Sequence, residues 1–103
     1  MAIGYEFDKG TLTIKLAGRL DFAMHQSFSD AYSSQDPNLV SHYILDMSAL
    51  TYLDSSALGM LLLLKDHAAK SAKISIINCS KDVSKIFEIA NFNQLFDIEN
   101  LVD

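Results

Sequence analysis

The 103-residue chain has one cysteine, one proline and a middle stretch without a single positive side chain. Each shortage excludes something. A lone Cys79 cannot form an internal disulfide, and it fits a reducing compartment. No apolar run exceeds Ala57–Leu64, far short of the roughly 20 residues that cross a bilayer. The N-terminus opens on Gly4, Tyr5 and Glu6 rather than on a basic cap and an apolar run, so no secretory leader is read there. These features predict a cytoplasmic domain with no membrane insertion.

Charge is scarce in one sign. Eight basic side chains face 13 acidic ones, a net charge of −5. That argues against nucleic acid, which is met by clustered Lys and Arg, and against a basic membrane-surface patch. Between Arg19 and Lys65 there is no Lys or Arg, while Asp21, Asp30, Asp36, Asp46 and Asp54 all fall there. A phosphate pocket built from cationic side chains is therefore not expected in the middle of the chain.

What is present is a core-forming chain. Half of the residues are hydrophobic, and a chain this long buries roughly two-thirds of its unfolded surface. One domain spanning residues 1–103 is expected. Ile3, Tyr5 and Phe7 alternate with polar neighbours, as do Leu12, Ile14 and Leu16. With Asp8-Lys9-Gly10 between them, they predict an antiparallel hairpin with one buried face. Asp21 suits a helix N-cap ahead of Met24, Phe28, Ala31 and Tyr32 at helical spacing. Ser33 to Asn38, with Pro37, ends that helix. Tyr43-Ile44-Leu45 predicts a strand covered on both faces, and Asp46 to Asp54 a turn. A helix from Ser56 to Lys70 follows, apolar almost all round in its first half; its Gly59 suggests a close backbone approach. Ile74, Ile76 and Ile77 predict a strand. Val83, Ile86, Phe87 and Ala90 form a helical face capped by Ser80, and Leu95 to Ile98 a last short strand. The fold class is α/β: an N-terminal β-hairpin plus a mixed, mostly parallel sheet with helices packed on it.

The chemistry concentrates in Ile44-Leu45-Asp46 followed by Leu53-Asp54-Ser55-Ser56-Ala57-Leu58-Gly59. Asp54, Ser55 and Ser56 stand at the start of a buried helix. Capping alone accounts for such residues. The same position also holds a hydroxyl rigidly beside amides that favour an anion. A phosphate there adds roughly −1.5 to −2 charges beside Asp54.

This string resembles the signature of STAS domains of the anti-sigma factor antagonist type. Gly18-Arg19-Leu20-Asp21 and Val83-Ser84-Lys85-Ile86-Phe87-Glu88-Ile89 match in order and spacing, so the resemblance covers nearly the whole chain. It implies a protein-binding switch. Ser55 matches the serine that a kinase-type anti-sigma factor phosphorylates and that a metal-dependent protein phosphatase of the 2C type restores. The unphosphorylated form binds the anti-sigma factor. Asp54 matches the motif's acidic neighbour, Asp21 an acid near the same surface, and Ser56 a supporting hydroxyl that caps the helix or shapes the kinase contact. Ala57 replaces the family's usual glycine and should stiffen the first turn. No cofactor is implied. Some STAS domains are instead constitutive subunits of membrane transport assemblies, including lipid-transport ATPases, with no kinase involved.

Other classes fit less well. The Gly-x-Ser-x-Gly elbow of a serine hydrolase is absent, and no histidine is tied to Ser55. His25, His42, His67 and Cys79 show no metal-ligand spacing. No Gly-rich loop is present, so nucleotide binding is expected to be weak. Leu61 to Leu64, and two of Phe22, Met24 and Tyr52, are assigned to the core, and Cys79 to a small buried apolar role.

Overall fold

The computed structural model describes residues 3–100. The hairpin forms as its turn chemistry requires. Strand β1 (Ile3–Asp8) turns through Lys9 and Gly10 into β2 (Thr11–Leu20). Both turn residues take positive φ, 49° and 84°. Two such residues make the tight turn that matches strand twist. Leu12, Ile14 and Leu16 are buried, and Ile3 and Phe7 pack against them. Tyr5 departs from the expected buried face and is 52% exposed, because β1 is an edge strand with no further strand beside it among the described residues.

After β2, a 3-10 turn (Phe22–Met24) leads into α1 (His25–Tyr32). A second 3-10 turn at Pro37–Leu39 precedes β3 (His42–Leu53). Then come α2 (Ser55–His67), β4 (Lys73–Cys79), α3 (Lys81–Ile89), a third 3-10 turn (Phe92–Gln94) and β5 (Asp97–Asn100). The five strands lie in the order β1-β2-β3-β4-β5. Only β1 and β2 pair antiparallel; the other neighbours are parallel. Each parallel step proceeds in the same direction through a helix, and right-handed crossovers place all three helices on one face. The fold class read from the sequence is the one observed.

The core lies between sheet and helices. Leu12, Ile14, Leu16, Tyr43, Leu45, Met47 and Ile76 meet Phe28, Leu61, Leu64 and Phe87 there. The other sheet face carries Thr13, Lys15, His42, Ile44 and Asp46, all half-buried or exposed. The expectation that Tyr43 to Leu45 is covered on both faces is thus corrected: Ile44 faces the side without helices. Nor is Asp46 to Asp54 a turn. The chain stays in strand to Leu53, because β2 itself runs on to Leu20 and supplies a partner. Two register shifts in that pairing turn the inward period from two to three, so Met47, Leu50 and Leu53 are the buried positions. That rhythm does not read as a strand in the bare sequence.

Helix α2 is one-sided rather than buried all round. Ala57, Met60, Leu61 and Leu64 face the core, whereas Leu62 and Leu63 are exposed. It ends at His67, ahead of the expected Lys70. No atom lies within 4 Å of a Cβ built on Gly59, so no backbone approaches it. Phe22 and Tyr52 are also exposed, and of the three doubtful residues only Met24 packs on the core. Cys79 is buried as expected, and burial pushes its thiol up to about 11. Among the described residues, no helix is long and apolar enough to cross a membrane.

Candidate functional site

Strands β2 and β3 end side by side. Leu20 pairs with Leu53, and the Asp54 N–H donates to the Leu20 carbonyl at 3.4 Å. One residue beyond each paired leucine stands an aspartate. Asp21 caps the Phe22–Met24 turn, its Oδ1 accepting from the Ala23 N–H at 3.1 Å. Asp54 caps α2, its Oδ1 accepting from the Ala57 N–H at 3.1 Å. Two parallel strands have placed two N-terminal caps at one rim of the sheet. Loops at the C-terminal ends of parallel strands are where such sheets commonly bind.

Ser55 is the first residue of α2 and is exposed. Its hydroxyl makes no hydrogen bond to any other described residue. Ser56 is half-buried, and its Oγ donates to Asp54 Oδ1 at 2.6 Å. The two adjacent hydroxyls are therefore different in kind. Ser56 orients the capping carboxylate; Ser55 faces solvent. Of the two roles expected for Ser56, capping belongs to Asp54. The Ser56 hydroxyl and then the Ala57 amide hold the Asp54 carboxyl below its ordinary range, by hydrogen bonding to its charged form. Ala57 has its methyl fully buried. It supports the motif through its N–H and its packing, and offers no surface to a partner. A glycine there would leave a gap beneath the first turn.

Two features of this rim are not evident in the motif. Arg19 lies 4.6 Å from the Tyr52 ring centroid, a cation–π pair set by the Arg19–Tyr52 register, and its Nε is 3.7 Å from Asp21 Oδ2. Thr51 Oγ1 donates to the Gly18 carbonyl at 2.9 Å. Gly18 takes a φ of 75° beside the second register shift, which explains the glycine of Gly18-Arg19-Leu20-Asp21. Phe22, stacked on His25 with ring centroids 5.6 Å apart, is 71% exposed. The rim thus shows aromatic and arginine side chains beside Ser55, the residue types that anchor protein interfaces. Sequence spacing alone assigned two of the three doubtful side chains to the core, because neither alternation nor helical period survives across the bulges.

The histidines lie elsewhere. His42 Nε2 is 2.8 Å from Ser75 Oγ on the face without helices, and His67 sits against Tyr32 near the end of α2. Among the described residues no group of three His, Cys, Asp or Glu side chains is arranged to hold a metal.

The family model described as Mlab, STAS domain, matches residues 3–102. The chain belongs to the STAS domain family. A STAS-domain-containing protein of Pseudomonas aeruginosa (strain UCBPP-PA14) is 53% identical over 92 residues, covering 88% of this chain and 90% of that protein. Among solved structures, the anti-sigma factor antagonist SpoIIAA in its unphosphorylated form superposes with a TM-score of 0.74 at 22% identity, over 99% of this chain and 90% of that one. SpoIIAA in its phosphorylated form, from Bacillus, gives 0.67 at 22% identity, over 94% and 90%. A sulfate transporter family protein from Wolinella succinogenes gives 0.78 at 12% identity, over 93% and 81%. The STAS fold of the anti-sigma factor antagonists is therefore the fold of this chain.

Proposed function

We propose that this STAS domain, one unit over residues 1–103, is a phosphorylation-controlled protein-binding switch. Unphosphorylated, it binds an anti-sigma factor with serine kinase activity; phosphorylated on Ser55, it releases that partner. A metal-dependent 2C-type phosphatase resets it in the cytoplasm. The family consists in general of binding proteins rather than enzymes.

The observation that carries the reading is the contrast between the two hydroxyls. Ser55 stands exposed at the first position of α2, while Ser56 is occupied with Asp54. A kinase needs the first arrangement and cannot use the second without breaking the cap. The helix N-terminus tolerates an added phosphate locally, since its amides and dipole favour an anion. A docked partner does not. An acidic group on it about 6 Å from the phosphate, at an effective dielectric near 20, is penalised by about 3 kcal/mol per unit charge pair. About 1.4 kcal/mol is already tenfold in affinity. SpoIIAA has been solved in both unphosphorylated and phosphorylated forms, which supports a switch that leaves the fold in place.

Ser55→Ala should accept no phosphate from the cognate kinase and bind the partner constitutively. Ser55→Asp should weaken binding at least tenfold with an unchanged far-UV circular dichroism spectrum. Stoichiometric phosphate on Ser55→Ala would refute the assignment. A second reading draws on the Mlab family model and on the transporter-family neighbour: a constitutive subunit of a membrane transport assembly of the lipid-transport ATPase type. In that case Ser55→Asp keeps its partner, and capture with both baits separates the two.

A further inference from the structure

The two edges of the sheet are not treated alike. At one edge, the pairing of β5 with β4 is interrupted by a register shift, and Asp97 Oδ2 of β5 lies 3.2 Å from Lys73 Nζ of β4. Irregular pairing is one way a sheet blunts an edge. At the other edge, β1 runs six residues in unbroken register from Ile3–Leu16 to Asp8–Thr11, with no proline and no lysine in the strand. Among the described residues no other strand pairs with its outer side.

The open edge also carries a defined chemical pattern. A two-residue turn closes the hairpin, so Asp8 and Thr11 form its hydrogen-bonded pair and every second pair beyond does the same. The main-chain groups of Glu6 and Gly4 are thereby used inward. Those of Ile3, Tyr5 and Phe7 point outward. On the face away from the helices, Gly4 pairs with Lys15 and Glu6 with Thr13. Gly4 has no side chain, and nothing lies within 4 Å of a Cβ built there. A shallow depression of about 190 Å³ results, lined by Gly4, Tyr5, Glu6, Thr13 and Lys15.

We propose that this edge is a self-association surface, taking β1 of a second copy antiparallel to its own, Tyr5 opposite Tyr5, to make one continuous sheet across the dimer. Charge selects that register. With outward groups meeting outward groups, the neighbouring register at one side sets Glu6 against Glu6, which like-charge repulsion disfavours. Centring on Tyr5 instead sets Ile3 against Phe7 and Gly4 against Glu6. The incoming Glu6 then lies over the gap at Gly4, with Lys15 just beyond it on the adjacent strand. Each copy supplies the acid for the other's depression, and the two-fold symmetry makes the contact twice. Half-exposed Tyr5 meets its own copy on the opposite face of the sheet. Ser55, at the far ends of β2 and β3, plays no part in this contact, so the proposal is independent of the switch.

Sedimentation equilibrium of the intact chain, from about 10 μM to about 1 mM, tests it; an edge contact alone is smaller than a standard interface, so a weak dimer is expected. The mass should rise from monomer towards dimer over that range. Tyr5→Pro removes an outward N–H together with the tyrosine ring, leaves the bonds to β2 in place, and should abolish the rise. Glu6→Lys and Lys15→Glu should each weaken dimerisation about tenfold, two exposed ion pairs being lost per dimer. Both changes together should restore it. Glu6 and Lys15 are exposed, so these variants report even if Tyr5→Pro fails to fold. A monomer throughout the range, a dimer indifferent to Tyr5→Pro when that variant folds, or a double variant as weak as the singles would overturn the proposal.

Discussion

Asp54 holds three things together: it ends β3, begins α2 and accepts from both Ser56 and Ala57. Its carboxyl titrates below its ordinary value of 3.8 because those donors favour the charged form. A depressed native value means that the stabilisation is fully present above the unfolded value and is lost as pH falls through the native one. The melting temperature of the wild type should therefore drop on the acid side of the ordinary carboxylate range. Asp54→Asn, which keeps an accepting oxygen for the cap, should lack that component, so the gap between the two should close in acid. The variant should impair kinase recognition more than neutral-pH stability. A large loss of thermal stability at neutral pH would show that Asp54 serves the fold more than the site. The motif made Ser55 and Asp54 legible as candidates. It could not separate the two serines, since that depends on which hydroxyl turns back to the cap.

The face of each element follows from its period, and the exceptions mark where the period breaks. In α3, Val83 and Phe87 are buried and Ile86 and Ala90 half-buried, with Ser80 accepting from the Val83 N–H as cap. That helix was readable because its apolar residues recur at regular helical spacing. In α2 the run Leu61-Leu62-Leu63-Leu64 carries no period at all, so only packing decides that Leu61 and Leu64 go inward. Gly59 lies on the exposed side, one turn after Ser55, with no neighbour to exclude a methyl group. Gly59→Ala should accordingly stabilise the protein by about 0.5–1 kcal/mol in urea denaturation, the ordinary helix gain. Destabilisation would show that the backbone there needs freedom. Strand β3 is the other exception. Its length depends on β2 continuing beside it, a long-range pairing that no local window contains.

Across the whole molecule, a single apolar cluster runs from β2 to the third 3-10 turn and touches every helix. Phe87 lies at the centre of its distal part, stacked on Phe92 with ring centroids 5.8 Å apart, and Phe92 stacks in turn on Phe96. Phe87→Ala should cost about 3–5 kcal/mol, from lost transfer energy and the cavity left behind. Because one core serves all elements, circular dichroism and tyrosine fluorescence should agree with each other on the urea midpoint within each protein, the variant's midpoint being the lower. Separate midpoints would mean that the α3–β5 end unfolds by itself. The acidic middle of the chain has its structural counterpart here too: Asp21 and Asp54 reach one rim, and Arg19, at the boundary of that stretch, is a cation beside Asp21.

The order of elements, the α/β class, the hairpin and the buried faces of β2 and α3 were determined by the sequence itself, because turn chemistry and regular periods act over a few residues. The tertiary structure alone decided the extent of β3, the exposed side of α2, the exposure of Phe22 and Tyr52, and the division of labour between Ser55 and Ser56. Each of these depends on a neighbour distant in the chain or on the direction of one hydroxyl, and neither leaves a local pattern.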